Sequence, residues 1–557
     1  MIEFNEERQK KDLSDLLIKE EEDLAQTLSK KYNLPYIDLS PLPVDQDALR
    51  IIPEKEARAA KLAAFNKIDK KIQIAVLSPN NPETIKVVES LKERGLQPVL
   101  FMASTASLQK VWGRYEELSF SIESAGGSLD VSNEDIQNFL EKVHTLKDIR
   151  ESIQEILKLE KRYRISKIIE IIVAGALALK ASDIHIEPEK GDVRLRYRLD
   201  GVLTEIVDLD NDTFSLLLSR VKLLSSLKLN IKGSAQDGRF TIKLSGKDIE
   251  IRTSILPGAY NESIVLRVLD PSTISVPLEE LGINEKLFKV IQHEIKKPNG
   301  MILNTGPTGS GKTTSLYAFL KKILSTETKI LTIENPIEYH LEGIVQTQTN
   351  EKEGYTFLSG LRSALRQDPD VIMVGEIRDS ETAEIAINAA LTGHLVFSTL
   401  HTNNAAGTFP RLIDLGVNSK VISSAMNIAL AQRLLRKIDP DYKKEVLLEG
   451  KDRETVLRIL ATITDKTYLE GLQTEKMWMP EVPNNESTGY KGRIGIFEGI
   501  LADQKIEEAL QLNPSEREIW KAAEGQGLLT MAQDGVIKVL KGVTTLNELR
   551  RVIDLEE

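Results

Sequence analysis

The chain has 557 residues, 41% of them apolar and 28% charged, with 73 basic against 84 acidic side chains and a formal net charge of −11. That length exceeds what one hydrophobic core can organise, so about three or four domains are expected. The acidic balance argues against a surface that coats or tracks nucleic acid, and the lack of any cysteine excludes disulfides, thiol nucleophiles and zinc ribbons.

No apolar run approaches the ~18 residues of a membrane-spanning helix. The opening stretch "MIEFNEERQKKDLSDLL" alternates acids and bases and has no apolar segment of the signal-peptide kind. The protein is expected in the cytoplasm, meeting a membrane only peripherally, through protein partners.

Residues 1–117 read as a first module. After the turn-rich "LPYIDLSPLPVDQDALRIIP" come the strand "KIQIAVLS", a helix from Pro82 to Arg94 and the strand "QPVLFM", a small α/β unit. Residues 118–160 read as a linker and an amphipathic helix. Ser119–Ser132 is rich in serine and carries Gly126 and Gly127, and "DIQNFLEKVHTLKDIRESIQEILKL" spaces apolar residues at helical intervals. A second domain is assigned to 161–272. In it "GDVRLRYRLDGVL" puts Val193, Leu195, Tyr197 and Leu199 on one strand face and Arg194, Arg196 and Arg198 on the other. That arginine face is either solvated charge or a phosphate contact. A helix ("FSLLLSRVKLLSSL") and a hairpin turning at Ser245–Lys247 follow.

From about Leu281 the pattern alternates strand, loop and helix, as in a parallel sheet with crossover helices. This region divides into a core at 281–430 and carboxy-terminal subdomains at 431–557. Within it, "GMILNT" leads into Gly306, Pro307, Thr308, Gly309, Ser310, Gly311, Lys312, Thr313 and Thr314. This is the G-x-x-x-x-G-K-[ST] pattern between a strand and a helix. Glycines let backbone N–H groups converge on phosphate at a helix N-terminus. Lys312 is expected to neutralise β- and γ-phosphates, and the Thr313 hydroxyl to bind Mg²⁺.

A second strand, "VIMV", ends at Gly375 and Glu376, and a third, "KILTIENPIEY", ends in Glu334 and Glu338. One acid at a strand end is usually a solvated cap, but three at the edge that carries a phosphate loop point to catalysis. Two of the six histidines, His394 and His401, flank the strand "LVFSTL". They are either structural or sensors of the γ-phosphate. No HExxH pair occurs, which removes the zinc-protease reading.

Several longer motifs resemble those of the hexameric secretion ATPases that power type II secretion and type IV pilus assembly. "ASDIHIEP", "DGVL", "AQDGRF" and "IRTSILP" match that family's second amino-terminal domain, and "GPTGSGKTT" its Walker A box. "ENPIEY" sits at the Asp box, "GLRSALRQDPDVIMVGEIRD" at Walker B and "TGHLVFSTLHTN" at the His box, with "TGYKGRIGIFE" and "GVTTLNELRRVI" in the carboxy-terminal part. The resemblance implies an α/β protein, with a RecA-like P-loop motor domain behind a PAS-like α/β domain and a small amino-terminal α/β module. It implies a homohexamer at the cytoplasmic face of the inner membrane, hydrolysing ATP with Mg²⁺ to drive an inner-membrane platform protein.

By the same resemblance Lys312 and Thr313 hold phosphate and Mg²⁺, and Glu376 is the Walker B acid and second Mg²⁺ ligand. Glu334 or Glu338 positions or deprotonates the water. His394 and His401 sense phosphate, and Arg239, Arg252, Arg362 and Arg378 meet phosphate or bridge lobes. Pilus extension is the expected task because residues 31–115 supply a module that the shorter retraction motors lack. The alternatives are a secretion pseudopilus motor, a retraction motor, a motor that translocates nucleic acid, and a ring that binds nucleotide without turnover.

Two departures from the family pattern stand out. Asn335 replaces an aspartate of the Asp box. The usual paired zinc cysteines are replaced by Asp439, Tyr442, Val482 and Asn485, so no zinc is expected.

Overall fold

The computed structural model describes residues 20–39, 44–49, 51–68, 70–118, 128–129, 139, 143, 145–158, 161–244, 247–270, 276–482 and 487–556. Among them no helix is long and apolar enough to cross a membrane.

In the first module β1 (Leu62–Ile68) pairs antiparallel with β2 (Lys71–Val76), which pairs parallel with β3 (Gln97–Met102). The helix Pro82–Glu93 makes the crossover between the two parallel strands. It starts where the Asn81 side chain accepts from the Glu83 amide and proline fills the first turn. The core closes on Trp112 and Tyr115, whose polar atoms donate to the Leu62 and Ile52 carbonyls at 3.0 Å each.

The helix expected between the first two domains is interrupted: Phe139 is helical, but a separate helix, Leu146–Leu157, starts where Thr145 and Asp148 form a reciprocal capping box. Val143 lies outside it in irregular backbone. The linker reading of 119–132 also needs correction at one place. Ser128–Leu129 is a strand, β4, paired parallel with Thr241–Ile242; the rest of that segment lies outside the described residues.

The second domain is a seven-stranded sheet in the order β4-β8-β9-β10-β5-β6-β7. Its strands are β5 (Asp183–Pro188), β6 (Val193–Leu199), β7 (Val202–Leu209), β8 (Gln236–Leu244), β9 (Lys247–Pro257) and β10 (Glu262–Leu269). Buried Tyr197 donates to the Ile172 carbonyl at 2.6 Å, tying the sheet to the helix Lys161–Ala178. The arginine face of β6 is neutralised by its own sheet. Arg194 pairs with Glu189 at 2.9 Å, Arg196 with Glu187, and Arg198 with Asp183 at 3.3 Å. These arginines therefore read as paired sheet charge, and the phosphate alternative for them falls away.

The other seven-stranded sheet has the order β13-β12-β14-β15-β11-β16-β19. Its strands are β11 (Gly300–Thr305), β12 (Ile330–Glu334), β13 (Val345–Gln348), β14 (Val371–Val374), β15 (Leu395–Leu400) and β16 (Met426–Ile438). A two-stranded ribbon, β17 (Lys443–Leu447) with β18 (Lys476–Pro480), lies apart, and β19 (Tyr490–Leu501) closes the sheet antiparallel to β16. All other pairings in this sheet are parallel. The central strands are apolar throughout because both faces are covered. Met301 and Leu303 enter one core with Ile372 and Val374, while Ile302 enters the other with Met373 and Phe397.

Hydrogen bonds among the described residues join the second domain to the region that follows it. Arg252 donates to the Ile337 carbonyl at 2.9 Å with Glu338 at 3.7 Å, and the Gly492 amide donates to Asp200 at 2.9 Å. The connection from this domain to the next lies outside the described residues at 271–275.

Inside the second domain Lys222 donates to both oxygens of Glu262, at 2.7 and 2.8 Å, and to the Ile231 carbonyl at 2.9 Å, all out of solvent. Removing one partner strands a buried charge, at a cost of about 3–5 kcal/mol, whereas replacing both with apolar groups is far milder. Lys222→Met is therefore expected to destabilise this domain by that amount, and Lys222→Met with Glu262→Leu to recover most of the loss. Denaturation midpoints followed by hydrogen exchange in the helix Asn211–Leu224 test this; equal losses in the two proteins would refute it.

Candidate nucleotide-binding site

β11, β14 and β15 run parallel, with Val371 and Gly300 both opposite Leu395. Their carboxyl ends therefore lie along one edge. The loop 306–311 leaves β11 there, Glu376 follows β14 by two residues, and His401 follows β15 directly. Glu376 is flanked by Arg378, with which it pairs, and by His401, whose Nε2 is 3.4 Å from its other oxygen. The turn that carries Glu376 is pinned by backbone and side chain alike. Ser398 and Thr399 donate to the Val374 and Gly375 carbonyls at 2.7 Å each, and the Ile377 amide to the Thr399 carbonyl at 3.0 Å.

The glycine loop needs its glycines. Gly306 and Gly311 have φ of +148° and +89°, and Gly311 caps the helix Lys312–Ile323 in the left-handed conformation. A Cβ on Gly306 would fall 2.6 Å from the Gln432 carbonyl, and one on Gly311 2.8 Å from the Gln432 side chain. Gln432 of β16 is thus the floor of the loop. Its side-chain oxygen accepts from Asn304 Nδ2 at 3.0 Å and Ser315 Oγ at 2.7 Å. Pro307, Thr308 and Gly309 are exposed, whereas Ser310 is buried with no partner for its Oγ. Thr313 and Thr314 stand half-buried in the first turn of the helix.

Lys312 folds back on its own loop, donating to the Gly306 carbonyl at 2.7 Å and the Pro307 carbonyl at 3.1 Å. Burial lowers its pKa, Glu376 works against that shift, and Arg433 adds to it. A phosphate arriving in the loop offers this ammonium a better acceptor than two carbonyls.

The other acids and bases divide. Glu334 is buried, and both its oxygens are engaged: by the Tyr317 hydroxyl, by Thr332 Oγ1 at 2.5 Å and by Gln346 Nε2 at 3.0 Å. Glu338 lies beyond the strand and faces Arg252.

His394 requires a correction as a phosphate sensor for its own loop. It precedes β15, and its carbonyl accepts from the Gly300 amide at the start of β11. Six strand residues, about 20 Å, separate it from the loop edge, and its Nδ1 lies 3.1 Å from the Ala389 carbonyl. Arg239 is exposed and pairs with Glu250 at 3.3 Å, and Arg362 with Glu381 at 3.7 Å. Neither is placed in this loop.

Sequence reasoning missed Gln432 and Arg433. Their one signal was a polar pair, "QR", inside the otherwise apolar stretch "IALAQRLL". At the cysteine-replacing positions, Asp439 accepts from the Asp441 amide, the Tyr442 carbonyl accepts from the Glu481 amide at 2.8 Å, and Val482 packs near Gly489. Asn485 lies outside the described residues. A valine and a carbonyl-bound tyrosine make no tetrahedral zinc site.

Comparison with known proteins agrees with this geometry. The model described as "Type II/IV secretion system protein" matches residues 158–551, and the "MshEN domain" model matches 32–121. The type IV pilus assembly ATPase PilB of Myxococcus xanthus is 34% identical over 95% of this chain and 91% of its own length. The type II secretion system protein E of Dickeya dadantii is 38% identical over 92% of this chain and 99% of its own. The solved Legionella pneumophila ATPase DotB shares the fold, with a TM-score of 0.51 at 22% identity, over 69% of this chain and 95% of that one. The α/β architecture, the glycine loop at the edge of a parallel sheet and matches across nearly the whole chain lead to one conclusion: the protein belongs to the type II/IV secretion system protein family.

Proposed function

We propose that the chain hydrolyses ATP with Mg²⁺ and works as a ring of six at the cytoplasmic face of the inner membrane. There it drives a platform protein so that a type IV pilus is extended. The observation that carries the reading is the convergence of Lys312, Glu376 and His401 on the edge where the glycine loop leaves β11. The loop amides and Lys312 hold the triphosphate, and His401, beside Glu376, senses the terminal phosphate. Thr313 and Glu376 are hard oxygen donors and suit Mg²⁺, which when bound neutralises charge developing on the transferred phosphoryl group. Glu334, once released from Tyr317, Thr332 and Gln346, is the base or water-positioning acid, with Glu338 the alternative. A type II secretion motor is the second reading, favoured by the 38% identity to a secretion protein beside 34% to a pilus one.

Arg252 links the second domain to the segment that follows Glu334, and this gives hydrolysis a route into motion. Parting the domains removes a donor from Ile337 and a charge from Glu338, three and four residues after Glu334. Any phosphate contact by Arg239 or Arg362 runs to a neighbouring subunit of the ring, since neither reaches its own loop. Arg378 acts through Glu376. The acidic chain is not proposed to take nucleic acid, and no zinc is assigned to it.

Lys312→Ala and Glu376→Gln are expected to lower turnover at least about a hundredfold, as losses of transition-state charge stabilisation do. Steady-state phosphate release measures this, and near-normal turnover in Lys312→Ala would sink the ATPase reading. Arg252→Ala is expected to bind nucleotide within about tenfold of the parent yet lose most of its turnover. A bland surface ion pair, worth at most about 1 kcal/mol, would leave turnover unchanged. Complementation in cells separates the two biological readings: restored fibres support pilus extension, and restored protein export with no fibres would replace it with secretion.

A further inference from the structure

Hydrogen bonds from several elements, three of them central here, hold the segment after His401 above the glycine loop. The Thr402 amide donates to Thr305 Oγ1 at 2.8 Å, Arg433 Nη2 donates to the Asn403 carbonyl at 2.6 Å, and the Ala405 amide donates to Glu498 at 2.7 Å. The second and third come from neighbouring strands. In the β16–β19 pairing Ala431 stands opposite Glu498 and Arg433 opposite Ile496, so Arg433 and Glu498 are diagonal neighbours on one face. Gln432 points to the other face, beneath the loop.

Glu498 is fully enclosed, and its second oxygen accepts from the Met531 amide at 2.9 Å, at the start of the helix Met531–Leu540. One carboxylate therefore joins the His401 segment to a carboxy-terminal helix. Arg433, also buried, donates to the Gln432 carbonyl at 3.0 Å, the same carbonyl that a Cβ on Gly306 would strike.

We propose that Glu498 and Arg433 are positioning residues, whose buried charges hold the His401 segment in register with the glycine loop and so set the rate of hydrolysis. The proposal rests on the ATPase reading above and adds a task to residues that reading does not use. Such positioning acts on the reacting geometry more than on nucleotide affinity, which the loop itself supplies.

The state of Glu498 follows from its surroundings. Burial pushes its pKa up to about 7. The Ala405 and Met531 amides and Arg433 of β16 oppose the rise, and Glu516, from the helix Glu516–Ala523, adds to it. Glu516 itself pairs with Asn404 of the same segment. A protonated Glu498 turns one acceptor oxygen into a donor facing an N–H group, so one tether must give way. Turnover carries an acid limb near pH 7 on this account, while affinity stays level across it.

The test compares Glu498→Gln with the parent, measuring ATP turnover and the affinity for a fluorescent ATP analogue between pH 6 and 8.5. The expected result is turnover at pH 8 lowered about tenfold or more, affinity within about threefold, and no acid limb in the variant. Turnover within twofold of the parent, turnover and affinity falling together, or an unchanged acid limb would each overturn the proposal. If Glu498→Gln does not fold, the acid limb is read in His401→Gln instead. Its persistence there supports Glu498, and its loss assigns it to His401 and overturns the proposal. A parent protein that turns over no ATP at any pH fails the ATPase reading itself. A parent that does so beside an equally active Glu498→Gln fails this proposal alone.

Discussion

The site depends first on register. β11, β14 and β15 are parallel and aligned residue for residue: Thr305 ends opposite Leu400, and Val374 ends opposite Ser398, two residues short of that level, where Glu376 follows. A slip of one residue in any of these strands would turn its side chains to the opposite face of the sheet. It would also move Lys312, Glu376 or His401 out of reach of the other two. The apolar residues that hold this alignment carry no chemistry. Their value is that both faces of each strand are packed, which leaves the register no alternative of similar energy.

The polar groups near that edge fall into two kinds. Glu376 is half open to solvent-side partners and shares its oxygens with a histidine and an arginine. Glu334 is closed in by three donors. Two carboxylates at neighbouring strand ends therefore start from different conditions: one lies at the edge of the glycine loop, and the other is held by an existing hydrogen-bond set that any new partner must displace.

Much of this was legible in the residues, and what was not has a physical reason. The glycine loop and its strand and helix could be read because steric demands on glycine and the apolar period leave a pattern within a dozen residues. Glu376 could be read because an acid after four buried residues marks a strand end. His394 misled because its strand was located without its direction relative to the loop; only the pairing with β11 shows which end of β15 lies beside the glycine loop. The arginines of β6 left two readings open, since the acids that neutralise them lie on a neighbouring strand and its flanking loop. Gln432, Arg433 and Glu498 come from strands more than a hundred residues beyond the glycine loop, and their partners are mostly backbone atoms, which no side-chain pattern announces. The capping box at Thr145 was visible in the text, but the apolar periodicity running through it masked the break.

The β16–β19 ribbon has a mechanical consequence. It pairs from Ile428 with Leu501 to Ile438 with Tyr490, and β16 alone has 13 residues, about 40 Å of extended chain. Midway along it Gln432 bears on the glycine loop, and towards its far end Gly492 holds Asp200 of the second domain. Those two points are separated on β19 by the run from Phe497 to Gly492, about 17 Å at strand rise. Both points lie on one ribbon, whose register shifts between Arg436 and Ile438, beside Gly492. A tilt of only about 3–4° at the loop floor displaces the Asp200 contact by about 1 Å, a third of a hydrogen-bond length. The loop floor and the Asp200 contact are therefore joined through one continuous ribbon of the sheet.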